Sequence, residues 1–210
     1  MSKPVRPFLG SDNSRYDIIL ASGSPRRREL LKLLDIGFRV LPSDFDESSV
    51  VPWPPDEHVL RSAGGKALAV AEKIAGGVVI GADTIVVVDD RILGKPRDDD
   101  DARRMLRLLS GRSHYVYTGL CVMLRKDRAT LIDLRDYVRT EVCFGVLPTA
   151  VIEAYVATGE PLDKAGAYGI QERGSVLVEG IVGDYFNVVG LPVYRLARML
   201  AEVGIPILGV

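Results

Sequence analysis

Two long strand-like segments in the middle of the chain, residues 114–124 and 130–144, are joined through the turn Arg125-Lys126-Asp127-Arg128. So short a connection forces the pair to run antiparallel, because parallel neighbours need a crossover of a dozen or more residues. An all-parallel sheet is thereby excluded. The chain nevertheless begins as a βα unit. The apolar run Ile18-Ile19-Leu20-Ala21 reads as a short buried strand. Ser22-Gly23-Ser24 makes a tight turn in which Ser24 is a good N-cap, and Pro25 suits the first helical position. Leu30, Leu31, Leu33 and Leu34 give the helix an apolar stripe. A long hairpin and a βα start in one chain predict an α/β fold with a mixed β-sheet and flanking helices.

The remaining segments fill in that frame. Residues 38–41 read as a strand, followed by an acidic loop at 42–48 and an irregular stretch where Pro52, Pro54 and Pro55 flank Trp53. Residues 56–74 read as a helix weakened at Gly64-Gly65 by about 1 kcal/mol per Gly relative to Ala. Residues 78–88 read as a buried strand interrupted at Gly81-Ala82-Asp83-Thr84, with a short return strand at 91–94. Asp98 caps a helix to about Leu109, with Asp99, Asp100 and Asp101 at its start and Arg103, Arg104 and Arg107 further along, the ordinary dipole pattern. A helix at 148–157, a Gly-rich loop at 163–171, a hairpin around Gly183 within 176–189 and a last amphipathic helix at 191–203 complete the reading. The 210 residues, 47% hydrophobic, suit one domain of two lobes over 16–206, with 1–15 a polar, flexible extension.

With 27 basic and 28 acidic residues the chain lacks the positive charge of a general nucleic-acid binder. Its apolar runs are short and broken, so no membrane span is expected, and the N-terminus has no signal-peptide core. Cys121 and Cys143 lie in strand-like stretches without metal spacing and read as buried, reduced thiols of a cytoplasmic protein.

One feature of the first helix works against stability. Arg26, Arg27 and Arg28 occupy its first turn, at the positive end of the helix dipole, where cations are disfavoured. An anion seated on the turn, phosphate above all, would reverse that, with Ser22 and Ser24 beside it; a merely solvated basic turn is the plain alternative. Asp83, flanked by Val78-Val79-Ile80 and Ile85-Val86-Val87, is costly to bury without a purpose. It suits a ligand for a hard cation such as Mg²⁺ or a general base for water, unless turn N–H groups simply satisfy it. Glu47, with Asp44 and Asp46, is a second carboxylate source, or an ordinary acidic loop. Lys66, Lys95 and Lys164 are candidate phosphate ligands, each more often a solvated residue when taken singly. The Gln171 amide can both donate and accept, so it can read a nucleobase edge. His58 and His114 show no metal or triad spacing. No Walker loop, strand–GxGxxG–helix unit or Gly-x-Ser-x-Gly elbow is present.

Four blocks in order, Ala21-Ser22-Gly23-Ser24-Pro25-Arg26-Arg27, Gly81-Ala82-Asp83-Thr84, Gly94-Lys95-Pro96-Arg97-Asp98 and Asp163-Lys164-Ala165-Gly166-Ala167-Tyr168-Gly169-Ile170-Gln171, resemble the Maf family of nucleoside triphosphate pyrophosphatases. Leu109-Ser110-Gly111 and Asn187-Val188-Val189-Gly190-Leu191-Pro192 fit the same pattern, and the likeness runs over about residues 17–203. The resemblance implies an elongated mixed sheet with a central cleft between two lobes, like that of inosine triphosphate pyrophosphatases. It also implies hydrolysis of a nucleoside triphosphate to the monophosphate and pyrophosphate, by metal-assisted attack of water at the α-phosphorus. Mg²⁺ is the expected metal, with Mn²⁺ or Co²⁺ as substitutes. By the same resemblance Asp83 is the proton acceptor; Arg26, Thr84 and Gln171 bear on substrate choice; Arg27, Lys66 and Lys95 bind phosphate; and Glu47 joins Asp83 at the metal. The Ser-Pro-Arg-Arg and Tyr-Gly-Ile-Gln forms resemble the subgroup acting on dTTP and UTP, in a house-cleaning role, rather than the one acting on 7-methyl-GTP. A homodimer is likewise implied. The one local departure is Gly64-Gly65 before Lys66, where better helix formers are expected.

Overall fold

The computed structural model describes residues 16–50 and 54–208, so the extension read at 1–15 and the expected irregularity at 52 and 53 lie outside it. Seven strands form one mixed sheet in the order β2-β1-β3-β5-β6-β7, with β4 paired to β3 alone. The first three run parallel: β1 (Ile18–Leu20) lies between β2 (Arg39–Val40) and β3 (Gly77–Val88). From β3 onward the pairing is antiparallel, through β5 (Ser113–Lys126), β6 (Ala129–Phe144) and β7 (Val178–Val182). The expected mixed α/β sheet and its long central hairpin are both present.

β3 is where the fold makes room for a site. One of its edges is paired with β5 from Gly77 to Val87. The other carries β1 at Val78–Ile80 and β4 (Arg91–Leu93) at Val86–Val88. Between them, residues 81–85 have no strand partner on that edge among the described residues, and there the sheet opens into a cleft. The sequence reading treated Gly81-Ala82-Asp83-Thr84 as an interruption of the strand. It is instead the middle of a continuous strand of 12 residues, because β5 alone supplies the ladder there.

Helices cover both faces. On one, α2 (Pro55–Ala71) packs Ala63, Ala67, Val70 and Ala71 on Val79, Cys121 and Met123. The other face divides into two clusters. One joins Val78, Ile80, Ala82, Leu120 and Val122 to α1 (Pro25–Lys32) and α6 (Val193–Glu202). The second joins Val86, Val88, Val116, Val142 and Phe144 to α3 (Asp99–Leu109) and α4 (Thr149–Val156). The cleft lies over the line between the two clusters, and β3, β5 and β6 run beneath both. Among the described residues, no helix is long and apolar enough to cross a membrane.

α2 runs unbroken through Gly64-Gly65. A Cβ at Gly65 would sit 2.3 Å from the Phe45 ring, and one at Gly64 would sit 2.5 Å from the Arg135 guanidinium. The missing side chains are thus filled by neighbours, which offsets the cost of glycine in a helix. The sheet is just as close: a Cβ at Gly81 would meet Ala63 O at 2.2 Å, and one at Gly119 would meet Val59 O at 2.3 Å.

The expected hairpin around Gly183 is not formed. β7 ends at Val182, Gly183 turns at φ +128°, and α5 (Tyr185–Val189) follows. Asp184 caps that helix, its Oδ1 accepting from Phe186 N at 2.8 Å and Asn187 N at 3.3 Å. The fully buried Asn187 then donates from Nδ2 to Val116 O and Thr140 Oγ1. A strand through 184–189 would forfeit both the cap and this buried anchor. Cys121 and Cys143 are free thiols, Cys121 buried as expected and Cys143, on β6, only half-buried; burial pushes the Cys121 thiol up to about 12, which makes it unreactive at neutral pH.

Candidate functional site

The cleft has a volume of about 780 Å³. Lining it are Ser22, Ser24, Arg26 and Arg27 from the β1–α1 turn, Glu47 and Lys66, Asp83 and Thr84, Lys95, Lys164 and Gln171, whereas Arg28, Asp44 and Asp46 are not part of its lining. Alternation along β3 sends Asp83 and Thr84 to opposite faces of the sheet. Asp83 therefore meets α2, and Thr84 meets α1.

On the α2 side, Lys66 follows Val59 and Ala63 along the helix face that rests on the sheet, so its side chain is buried. Its Nζ lies 2.6 Å from Asp83 Oδ1 and 2.8 Å from Glu47 Oε1. Glu47 reaches this point because Phe45, two residues earlier, packs its ring on Gly65. Burial alone would raise the Asp83 carboxyl, but Lys66, Arg27 and His58 outweigh it and hold Asp83 below its ordinary value. Asp83 is thus a carboxylate at neutral pH.

On the α1 side, Ser24 caps the helix, accepting from Arg27 N at 3.4 Å, and Pro25 starts it. Arg27 is held on three sides: Nε donates to Gly190 O at 2.9 Å, Nη1 to Ser22 Oγ at 3.3 Å and Nη2 to Thr84 Oγ1 at 3.0 Å. Thr84 Oγ1 is in turn 2.9 Å from Thr118 Oγ1, which donates to Asn187 O at 3.0 Å. The expected basic turn splits by role. Arg27 points inward, Arg26 crosses the cleft mouth to Asp163 Oδ2 at 3.0 Å, and Arg28 lies exposed near Glu29, 3.5 Å away.

The lysines differ as well. Lys95 is exposed on the cleft wall and makes no hydrogen bond or ion pair among the described residues. The Lys164 ammonium is held by Glu160 O at 2.9 Å and Asp163 Oδ1 at 2.8 Å. The Lys164 ammonium thereby braces the 163–171 loop while lining the cleft. Gly169 makes room for that brace, since a Cβ there would meet Lys164 Cε at 2.5 Å. Asp44 pairs with Lys73 at 2.9 Å, leaving Glu47 as the acidic-loop carboxylate on the cleft wall.

Two cleft residues were not singled out from the sequence. His58 lies with Nε2 3.9 Å from Asp83 Oδ2; its spacing two turns before Lys66, at i and i+8, was the available signal. Asp163 bridges Arg26 and Lys164, and only its place in the Gly-rich block marked it. His114 is structural: its Nε2 pairs with Tyr168 OH at 2.8 Å behind the cleft wall, and burial lowers it to about 4, leaving it neutral.

Among the described residues no group of three or more His, Cys, Asp or Glu side chains could by itself hold a metal ion. The donor set nevertheless fits Mg²⁺, which needs only one or two carboxylates when substrate phosphates complete its shell. Glu47 and Asp83 already converge on one cation, the Lys66 ammonium, through one oxygen each.

A family model described as Maf-like protein matches residues 17–203. A Bacillus mycoides protein named dTTP/UTP pyrophosphatase is 51% identical over 185 residues, covering 88% of this chain and 94% of its own. A Bacillus cereus protein of the same name is 48% identical over 190 residues, covering 90% and 97%. Among solved structures, a HAM1 protein from Coxiella burnetii superposes with a TM-score of 0.52 over 89% of this chain and 99% of its own, at 16% identity. That likeness is one of fold, and it agrees with the pyrophosphatase-like sheet and cleft expected from the sequence.

Proposed function

The chain belongs to the Maf family, and from that premise we propose that it hydrolyses dTTP and UTP to the monophosphate and pyrophosphate. The observation that carries the reading is the convergence, in one cleft, of an ionised Asp83, a fixed Arg27, a Lys95 without a partner among the described residues, and the Gln171 amide. The names of the two Bacillus relatives support the pyrimidine substrates. The Gln171 amide complements the adjacent carbonyl and imide N–H that uracil and thymine share.

In this reading Arg26, Arg27 and Lys95 hold the triphosphate oxygens. Arg27 cannot swing, because Gly190, Ser22 and Thr84 fix its three nitrogens, so it stabilises charge as it develops without reorganising. Asp83 takes a proton from water. The water oxygen bonds to the α-phosphorus as the bond from that phosphorus to the bridging oxygen breaks, and the electron pair leaves with pyrophosphate. A divalent cation held by Glu47, Asp83 and triphosphate oxygens supplies neutralisation of phosphate charge when bound.

The test is a panel of dTTP, UTP, CTP, the purine triphosphates and 7-methyl-GTP with Mg²⁺, scoring pyrophosphate and orthophosphate separately. The expected result is pyrophosphate from dTTP and UTP, with kcat/KM at least about tenfold above the rest, as differential hydrogen bonding to a base edge allows. Orthophosphate as the first product, or 7-methyl-GTP as the best substrate, would reject it.

A further inference from the structure

Lys66 lines the cleft with its ammonium already engaged by two carboxylates. The ammonium sits between Asp83 Oδ1 and Glu47 Oε1, at 2.6 and 2.8 Å. Those are the two carboxylates that suit a divalent cation. Lysine and metal therefore compete for one position. The carboxylates also already face basic partners: Lys66 bridges both, and Arg27 and His58 act on Asp83. A divalent ion added to that set carries further positive charge to within contact of the buried Lys66 ammonium, an unfavourable placement. An entering triphosphate changes the balance, because its several negative charges give the ammonium a new partner within reach of a four-carbon stem.

We propose that Lys66 is an exchangeable internal cation: it holds Asp83 and Glu47 together in the nucleotide-free enzyme and cedes that position to a divalent cation as triphosphate enters. Metal and nucleotide then bind as a coupled pair, each strengthening the other by the same factor. The proposal rests on the pyrophosphatase reading and on Glu47 and Asp83 as metal ligands. It adds that the metal site is closed by the protein's own lysine until substrate arrives. A further consequence is that free divalent ion does not occupy the enzyme ahead of substrate.

The test is a Mn²⁺ titration of the nucleotide-free enzyme, followed by electron paramagnetic resonance, for wild type, Lys66→Met and Lys66→Gln. Removing the ammonium is expected to tighten Mn²⁺ at least about tenfold, since a cation within contact distance is taken away. The double variant Lys66→Met/Glu47→Gln is expected to lose that gain, which ties it to the carboxylate pair. Lys66→Gln keeps hydrogen-bond donors for the carboxylates without the charge, so it serves if the methionine variant fails to fold, as judged by circular dichroism. Equal or weaker Mn²⁺ affinity in a folded Lys66 variant would overturn the exchange. So would a gain that survives Glu47→Gln. Sensitivity of wild-type dTTP turnover to a chelator, with recovery on adding Mg²⁺, tests the underlying metal reading separately.

Discussion

Asp83→Asn is expected to leave the enzyme folded and to lower kcat on dTTP by about 10²–10⁴-fold, the range for loss of a general base. The amide keeps the volume of the carboxylate, and Lys66 retains Glu47 at 2.8 Å, so no buried cation is left without a partner. What is lost is the charge that accepts the proton. Steady-state turnover with pyrophosphate detection, alongside a thermal unfolding curve, measures both halves of the statement. Turnover within a few-fold of wild type would remove Asp83 from the chemistry. The pH dependence has a defined sign. Asp83 is held below its ordinary value of 3.8, so the stability it contributes is present above that value and is lost as pH falls through the lower folded-state one. The acid limb that Asp83 imposes on turnover of the free enzyme accordingly lies below about pH 4, a limb set by any group of ordinary carboxylate pKa lying higher.

Gly119→Ala carries a large expected stability effect for a one-carbon change. A Cβ at this position would lie 2.3 Å from Val59 O and 2.5 Å from Val59 C, the backbone of α2 rather than the end of a movable side chain. Nothing nearby can give way without shifting the helix. Overpacking of this kind costs about 3 kcal/mol or more, which for a chain of this size lowers Tm by about 6–12 °C. Because α2 also carries Lys66, its displacement lowers turnover in whatever protein remains folded. Gly145→Ala is the control: no atom lies within 4 Å of its added Cβ, and its Tm should stay within about 2 °C of wild type. Equal melting temperatures for the two variants would contradict the close seating of α2.

Much of this architecture was legible before any coordinates. The short turn at 125–128 dictated an antiparallel pair, and β5 and β6 form it. Ser24, Pro25 and Asp98 announced their helix starts through side-chain chemistry, and Ser24 and Asp98 each cap as read. The errors share one cause, which is that a local pattern was overruled by a distant partner. Gly81-Ala82-Asp83-Thr84 looked like a break because small and polar residues interrupt an apolar run, but the long β5 ladder holds it extended. Residues 184–189 looked like strand because of Val188 and Val189, but Asp184 and the Asn187 anchor make helix. Gly64-Gly65 looked like a weakness because the residues that fill them, Phe45 and Arg135, lie far away in sequence. At the site, residue types were readable and their pairings were not. Nothing in the sequence said that Lys66 would face Asp83 and Glu47, that Arg26 would reach Asp163, or that Lys164 would be tied down by its own loop.

The strands beneath the cleft set a mechanical limit on how this enzyme can work. β3, β5 and β6 pass without interruption from one packing cluster to the other, so the two walls are mounted on a common floor that would have to shear a full ladder of hydrogen bonds to bend. Enzymes whose lobes meet at a flexible joint can close by different amounts around ligands of different size. A continuous floor resists such closure, so fitting a substrate falls to the short segments at the rim, the Phe45–Glu47 turn and the 163–171 loop.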